Sequence, residues 1–195
     1  AFAIGRTQDL LFHLRQLQLA GEIPSSIPIF VDSPMACDAT PLYLMHREEH
    51  DEEMVKMLVD GQKPIHPTHV EFARAVRESM ALNSREGPMI IISSSGMCEG
   101  GRVLHHLKHA IEDEANVIVF VGFQAEHTLG RKLVEGWDVV PIFGVPTKRR
   151  AQVVKFNGLS AHADRNDLLA YVRAINPLPS KVFIVHGEEK QALSL

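Results

Sequence analysis

The sequence predicts an α/β fold in which a mainly parallel sheet is flanked by helices. Two observations carry this. From residue 89 onward, short apolar runs alternate with amphipathic segments, the rhythm of parallel strands joined by crossover helices and covered on both faces. Two of these runs also end in loops of small residues, 93–101 and 122–126, before a helical pattern resumes. The composition agrees: of 195 residues, 45% are apolar and 23% charged, ordinary for a packed domain and wrong for a disordered chain.

Along the chain, Leu10, Leu11, Leu14 and Leu17 fall on one helical face, with Gly21 just past its end. Residues 27–31 read as a short buried strand closed by Asp32-Ser33-Pro34. Residues 38–59 read as one acidic helix with Met54, Val55, Leu58 and Val59 as its stripe, and 61–67 break it. A further helix is expected with Val70, Ala73, Val76 and Met80 inward. Strand 89–92, helix 102–111, strand 117–121 and helix 127–135 follow, the last ended by Gly136. The pattern changes around 141–146. Residues 151–156 alternate like a strand, and 164–174 form a helix with Asp164 as N-cap and Asp167 in its third position. Residues 181–185 read as a last strand, ending at His186-Gly187-Glu188. A boundary near Thr147 divides the chain into a domain over 1–147 and the start of a second over 148–195.

Bulk numbers exclude several classes. No apolar run approaches the eighteen or so residues of a membrane span, and no basic segment precedes an apolar one as in a secretory signal. Two cysteines, Cys37 and Cys98, rule out a disulfide scaffold and fit a reducing, cytoplasmic setting. Each follows a strand end, so the two thiols are potential neighbours, with buried free thiols as the default. Twenty Lys+Arg against 24 Asp+Glu give a net charge of −4, so bulk charge does not mark a nucleic-acid binder. The chain starts without methionine and stops without a Gly or Pro signal, and it is expected to be a fragment of something longer.

Several groups carry candidate chemistry. The loop Ser94-Ser95-Gly96-Met97-Cys98-Glu99-Gly100-Gly101 joins a strand to a helix start, where free N–H groups and the helix dipole favour an anion. It lacks the Gly-Lys-Ser/Thr of a nucleotide P-loop; the plainer reading is a tight turn that binds nothing. A second loop, Gly122-Phe123-Gln124 through Gly130-Arg131, ends the next strand, and open α/β sheets place ligands at such carboxyl ends. Arg102 and Arg131 enter the helices that follow, either to pair with phosphate oxygens or as solvated surface charges. His46-Arg47-Glu48-Glu49-His50 fits the H-x-x-E-H spacing of a metalloprotease, but its run of acids reads as a solvated helix face. His105 and His109, and His66 and His69, read as surface or hydrogen-bonded histidines. His162 and His186 each follow a strand, where a rigid sheet aims a ligand or a proton donor.

Taken in order, Phe2-Ala3-Ile4-Gly5-Arg6-Thr7-Gln8, Val31-Asp32-Ser33-Pro34-Met35-Ala36, Ser94-Ser95-Gly96-Met97, Gly122-Phe123-Gln124 with Thr128-Leu129-Gly130-Arg131, Ser160-Ala161-His162-Ala163-Asp164 and Val185-His186-Gly187-Glu188 resemble the β-CASP branch of the metallo-β-lactamase-fold nucleases. That family includes the eukaryotic pre-mRNA 3′-end cleavage and polyadenylation nuclease and prokaryotic RNA-processing relatives. The resemblance implies a β-CASP domain followed by a partial segment of a metallo-β-lactamase αββα fold.

It also implies hydrolysis of RNA phosphodiesters at a two-zinc centre, in RNA processing or decay. By resemblance His186 is one zinc ligand, and His162 contacts the scissile phosphate as donor or general acid. Ser94, Ser95, Gly96, Arg102 and Arg131 hold the RNA strand. The family's His-x-His-x-Asp-His occurs nowhere in the sequence; its place would precede Ala1, in a metallo-β-lactamase part of the same chain. The expectation is therefore an inactive fragment without the native zinc pair, from a parent ribonuclease. Homodimerisation is common among prokaryotic relatives. The alternative is a non-catalytic RNA- or partner-binding scaffold module of the same family.

Overall fold

Ile29, Phe30, Val31 and Asp32 form β1 (Ile29–Asp32), buried along its whole length. A strand with no solvent face needs neighbours on both edges and cover on both sides. In the computed structural model, which describes residues 1–160, 162–185 and 187–195, parallel β2 (Val70–Phe72) and β3 (Ile90–Ser93) flank it in the order β2-β1-β3. One face packs Ile29 and Val31 with Ile92 against Leu11 of α1 (Arg6–Leu19) and Cys37 of α2 (Pro34–Met45). The other places Phe30 with Ala73 and with Leu82 of α4 (Val76–Leu82).

A second core joins Leu107 of α5 (Arg102–Ala110), Phe120 of β4 (Val117–Phe120) and Leu133 of α6 (Leu129–Val134) to Val140 and Ile142 of β5 (Val139–Ile142). β5 pairs with β6 (Val145–Lys148) as an antiparallel hairpin. Its two-residue turn, Phe143-Gly144, has φ of +50° and +77°, the sign that a type I′ turn requires at both positions. β4 pairs in parallel with β7 (Gln152–Lys155). The described strands thus form three separate sheets, two of them parallel. All belong to one compact unit, Ala1–Leu159; Ser160–Leu195 is a second. Among the described residues no helix is long and apolar enough to cross a membrane.

The second unit holds α7 (Arg165–Ala174) and α8 (Glu189–Ser194). α7 begins as the sequence predicts. The Asp164 carboxylate accepts from the N–H groups of Asn166 at 2.7 Å and Asp167 at 3.0 Å, while that of Asp167 accepts from the Asp164 N–H at 3.0 Å. This reciprocal box satisfies donors that the helix leaves open.

Three expectations are corrected. Residues 38–59 are not one helix: α2 stops at Met45, a single 3₁₀ turn spans Arg47–Glu49, and α3 (Glu52–Val59) restarts. Asp51 causes the restart, its carboxylate accepting from the Met54 N–H at 2.8 Å as a new N-cap. Val70 does not begin a helix; it pairs with Ile29 in β2, and Val76 and Met80 are exposed rather than inward. Residues 181–185 form no strand. A strand exists only as one side of a ladder, and no described residue of 160–195 is in one.

Candidate functional site

β3 and β4 deliver their carboxyl ends to the two loops singled out above. In the first, residues 94–101, the Ser95 N–H donates to the Gly100 carbonyl at 3.1 Å and the Cys98 N–H to the Ser95 carbonyl at 3.3 Å. The Glu99 N–H donates to Ser95 Oγ at 3.2 Å. Gly101, with φ of +81°, closes the loop; a Cβ there would lie 2.7 Å from the Ser94 carbonyl oxygen, so only glycine fits. Ser94 Oγ is buried without a partner and Gly96 is buried against the Phe2 ring. Ser95 Oγ, in contrast, accepts from the Glu99 N–H and keeps its own O–H to donate. The first turn of α5 carries no side-chain cap; the Ser94 carbonyl accepts from its Val103 N–H at 3.2 Å instead.

The second loop is tied to the first. Gln124, 3% exposed, donates through Nε2 to the carbonyls of Gly96 at 3.0 Å, Phe123 at 3.0 Å and Gly122 at 3.2 Å. The Gly130 N–H donates to the Met97 carbonyl at 3.0 Å, and the Glu99 carboxylate accepts from the Leu129 N–H. A Cβ at Gly130 would stand 1.8 Å from Gln124 Oε1 and 3.0 Å from Met97 O. Gln124 is held by three carbonyls and cannot yield. Gly130→Ala is therefore expected to cost about 1–3 kcal/mol by overpacking, read as a lower midpoint in urea unfolding. Arg131 hydrogen-bonds Glu135 Oε1 at 2.6 Å and the Gln124 carbonyl at 3.2 Å.

Arg102 heads a buried network that nothing local in the sequence announces. Its guanidinium donates to Asp32 Oδ1 at 2.6 Å and to the carbonyls of Ala73 at 2.8 Å and Arg74 at 2.7 Å. Asp32 is fully buried; its Oδ2 accepts from Ser79 Oγ at 2.6 Å and faces His106 Nε2 at 2.6 Å. His106 Nδ1 lies 2.8 Å from Asn83 Oδ1. Burial alone would push the Asp32 carboxyl up, but the hydrogen bonds from His106, Ser79 and Arg102 outweigh it and hold the carboxyl below its ordinary value. The network pins α5, and with it the end of the first loop, to the carboxyl end of β1. Sequence reasoning misses Asp32, Ser79 and His106 as a group; Arg102 and His106 at i, i+4 on one helix face are the one available hint.

The other expected groups lie apart. His46 caps α2 and His50 follows the 3₁₀ turn, so H-x-x-E-H does not lie on one helical turn. His46 pairs with Glu48, and His50 with the Tyr43 carbonyl. Cys37 and Cys98 are buried in different cores. Burial pushes both thiols up, that of Cys98 to about 11, so neither is a ready thiolate ligand. His162, in the second unit, is exposed two residues before the α7 cap, and its N–H donates to Ser160 Oγ at 3.3 Å. His186 lies outside the described residues. Among those that are described, no group of three or more His, Cys, Asp or Glu side chains is placed to hold a metal.

Comparison with known proteins places this geometry. The Beta-Casp domain model matches residues 7–133, and the model described as a Zn-dependent metallo-hydrolase RNA specificity domain matches residues 147–195. The chain is 36% identical over 194 residues to ribonuclease TTHA0252 of Thermus thermophilus, covering 100% of this chain and 43% of that protein. It is 34% identical over 198 residues to the transcription termination factor FttA of Methanocaldococcus jannaschii, covering 98% of this chain and 31% of that protein. The FttA of Methanosarcina mazei is 32% identical over 201 residues, covering 100% of this chain and 31% of that protein. The chain thus spans less than half the length of these relatives. With one domain model matching well over half of it, and with the paired loops at its strand ends, the chain belongs to the β-CASP family.

Proposed function

We propose that this chain is part of a zinc-dependent ribonuclease that hydrolyses RNA phosphodiester bonds in RNA processing or decay. The observation that carries the reading is the pair of interlocked glycine loops at the carboxyl ends of β3 and β4, found in a chain whose relatives include a named ribonuclease and a transcription termination factor. Ser94, Ser95 and Gly96 contribute backbone polarity to the phosphate-facing surface. Arg102 contributes by fixing the loop through Asp32, and Arg131 by holding the second loop through the Gln124 carbonyl.

His162 is the residue assigned to the scissile phosphate, as hydrogen-bond donor or general acid. Its exposed ring next to a capped helix start suits that role. Zinc, when bound in the whole protein, supplies the Lewis acidity. His186 is the ligand that this chain contributes, and the others lie in a metallo-β-lactamase part outside 1–195. The boundary near Thr147 separates the β-CASP domain, 1–147, from the start of that returning part, 148–195. Cytoplasmic location and homodimerisation belong to the same proposal. A scaffold role in an RNA-processing complex is the second reading; FttA, one of the relatives, is named a transcription termination factor.

The 195-residue chain by itself is expected to leave RNA uncut at any zinc concentration. Incubating it with a labelled RNA and zinc, and resolving the products on a gel, checks this. Cleavage accompanied by stoichiometric zinc in elemental analysis would sink the proposal that its ligand set is incomplete.

A further inference from the structure

A cavity of about 620 Å³ opens at the amino ends of the β2-β1 strands. The Ile29 N–H that begins β1 donates to the carbonyl of His69, one of its lining residues. It therefore lies a full strand, about 13 Å at 3.3 Å per residue, from the loops at the carboxyl ends. Its floor is set by Pro64 and Pro67, both fully buried. Thr68 is fixed from two sides: it exchanges hydrogen bonds with Gln18 at 2.7 and 3.2 Å, and its hydroxyl accepts from Arg15 at 3.1 Å. His69 has φ of +56°; the conformation sets its position against the lining.

Arg15, Lys63, His66 and His69 line this cavity, and no carboxylate does. Neither Arg15 nor Lys63 takes part in an ion pair among the described residues. The C-terminal ends of α1 and α3 reach the cavity at Leu19 and Gly61. Two helix ends supply about −0.5 each, roughly −1 together, against two permanent positive charges. A surplus of about one positive charge remains before either imidazole takes a proton. The volume falls within the roughly 300–1,000 Å³ of small-ligand sites and exceeds what a single phosphate fills.

We propose that this cavity is a binding site for a diphosphate group, held by Arg15 and Lys63 with His66 and His69, and separate from the RNA-facing loops. The group is either inorganic pyrophosphate or the diphosphate of a nucleotide. The test is titration calorimetry of the intact protein, in magnesium-free buffer, with pyrophosphate and separately with ADP, for the wild type and for Lys63→Glu. Lys63 is exposed and its replacement leaves the fold intact, which circular dichroism verifies. The wild type is expected to bind, with Lys63→Glu weakening the affinity by about tenfold or more. Tighter binding of ADP assigns the rest of the cavity to a nucleoside; equal binding assigns the site to inorganic diphosphate. No binding by the wild type, or the same affinity in Lys63→Glu, overturns the proposal. The readout is independent of RNA hydrolysis, so failure of one proposal leaves the other standing.

Discussion

Replacing His162 by alanine in the full-length protein is expected to lower RNA cleavage by about 10²–10⁴-fold, the range in which a positioned proton donor contributes. RNA binding should change little, because the loops proposed to hold the strand belong to the first unit. Single-turnover cleavage and a gel-shift titration on the same preparations separate the two effects. His162 is exposed, and among the described residues its hydrogen bond is from its backbone N–H to Ser160 Oγ, so the substitution removes no buried partner and stability should hold. Equal loss of binding and cleavage would move His162 from proton donor to RNA contact. A wild-type protein that binds RNA and never cuts it favours the scaffold reading.

Asp32→Ala is expected to cost about 3–5 kcal/mol of folding free energy, the scale for removing one partner of a buried ion pair. The loss comes mainly from what remains: the Arg102 guanidinium and the His106 ring keep their burial and lose their acceptor. Urea unfolding should show the midpoint falling with the slope unchanged. Wild-type stability carries a pH signature of the same carboxylate. Its folded pKa is depressed, so its contribution is complete above the unfolded carboxyl value of about 3.9 and disappears as pH falls through the lower folded value. In Asp32→Ala that part of the acid sensitivity should vanish.

The elements that sequence pattern makes legible are those whose cause is local. The α7 cap is one, because Asp164 and Asp167 are three residues apart and each satisfies the other's backbone. The loops 94–101 and 122–130 are others, since a small-residue run after an apolar strand has few alternatives. Where pattern misleads, the cause is distant. Val70, Ala73, Val76 and Met80 fit a helical period, but pairing of Val70 with Ile29, 41 residues away, decides the matter. The acidic run around Glu48–Glu53 reads as one solvated helix until Asp51 is seen to cap its own N-terminus. The Asp32 network is the extreme case: its members stand 47, 70 and 74 residues from Asp32, and no short window along the chain contains the acid together with any of them.

The Gln124 amide has a consequence for how a ligand is met. One side chain bonded to carbonyls on both loops, locked in place by the absence of a Cβ at Gly130, turns two segments into a single stiff body. The conformational entropy of ordering them is lost once, when the chain folds, and not again at each encounter. On the proposed function, a strand arriving at this surface would find it prearranged, with little binding energy drawn off to freeze the loops. Exchange of Gln124 for a shorter side chain would shift that ordering from folding to whatever binding the surface performs.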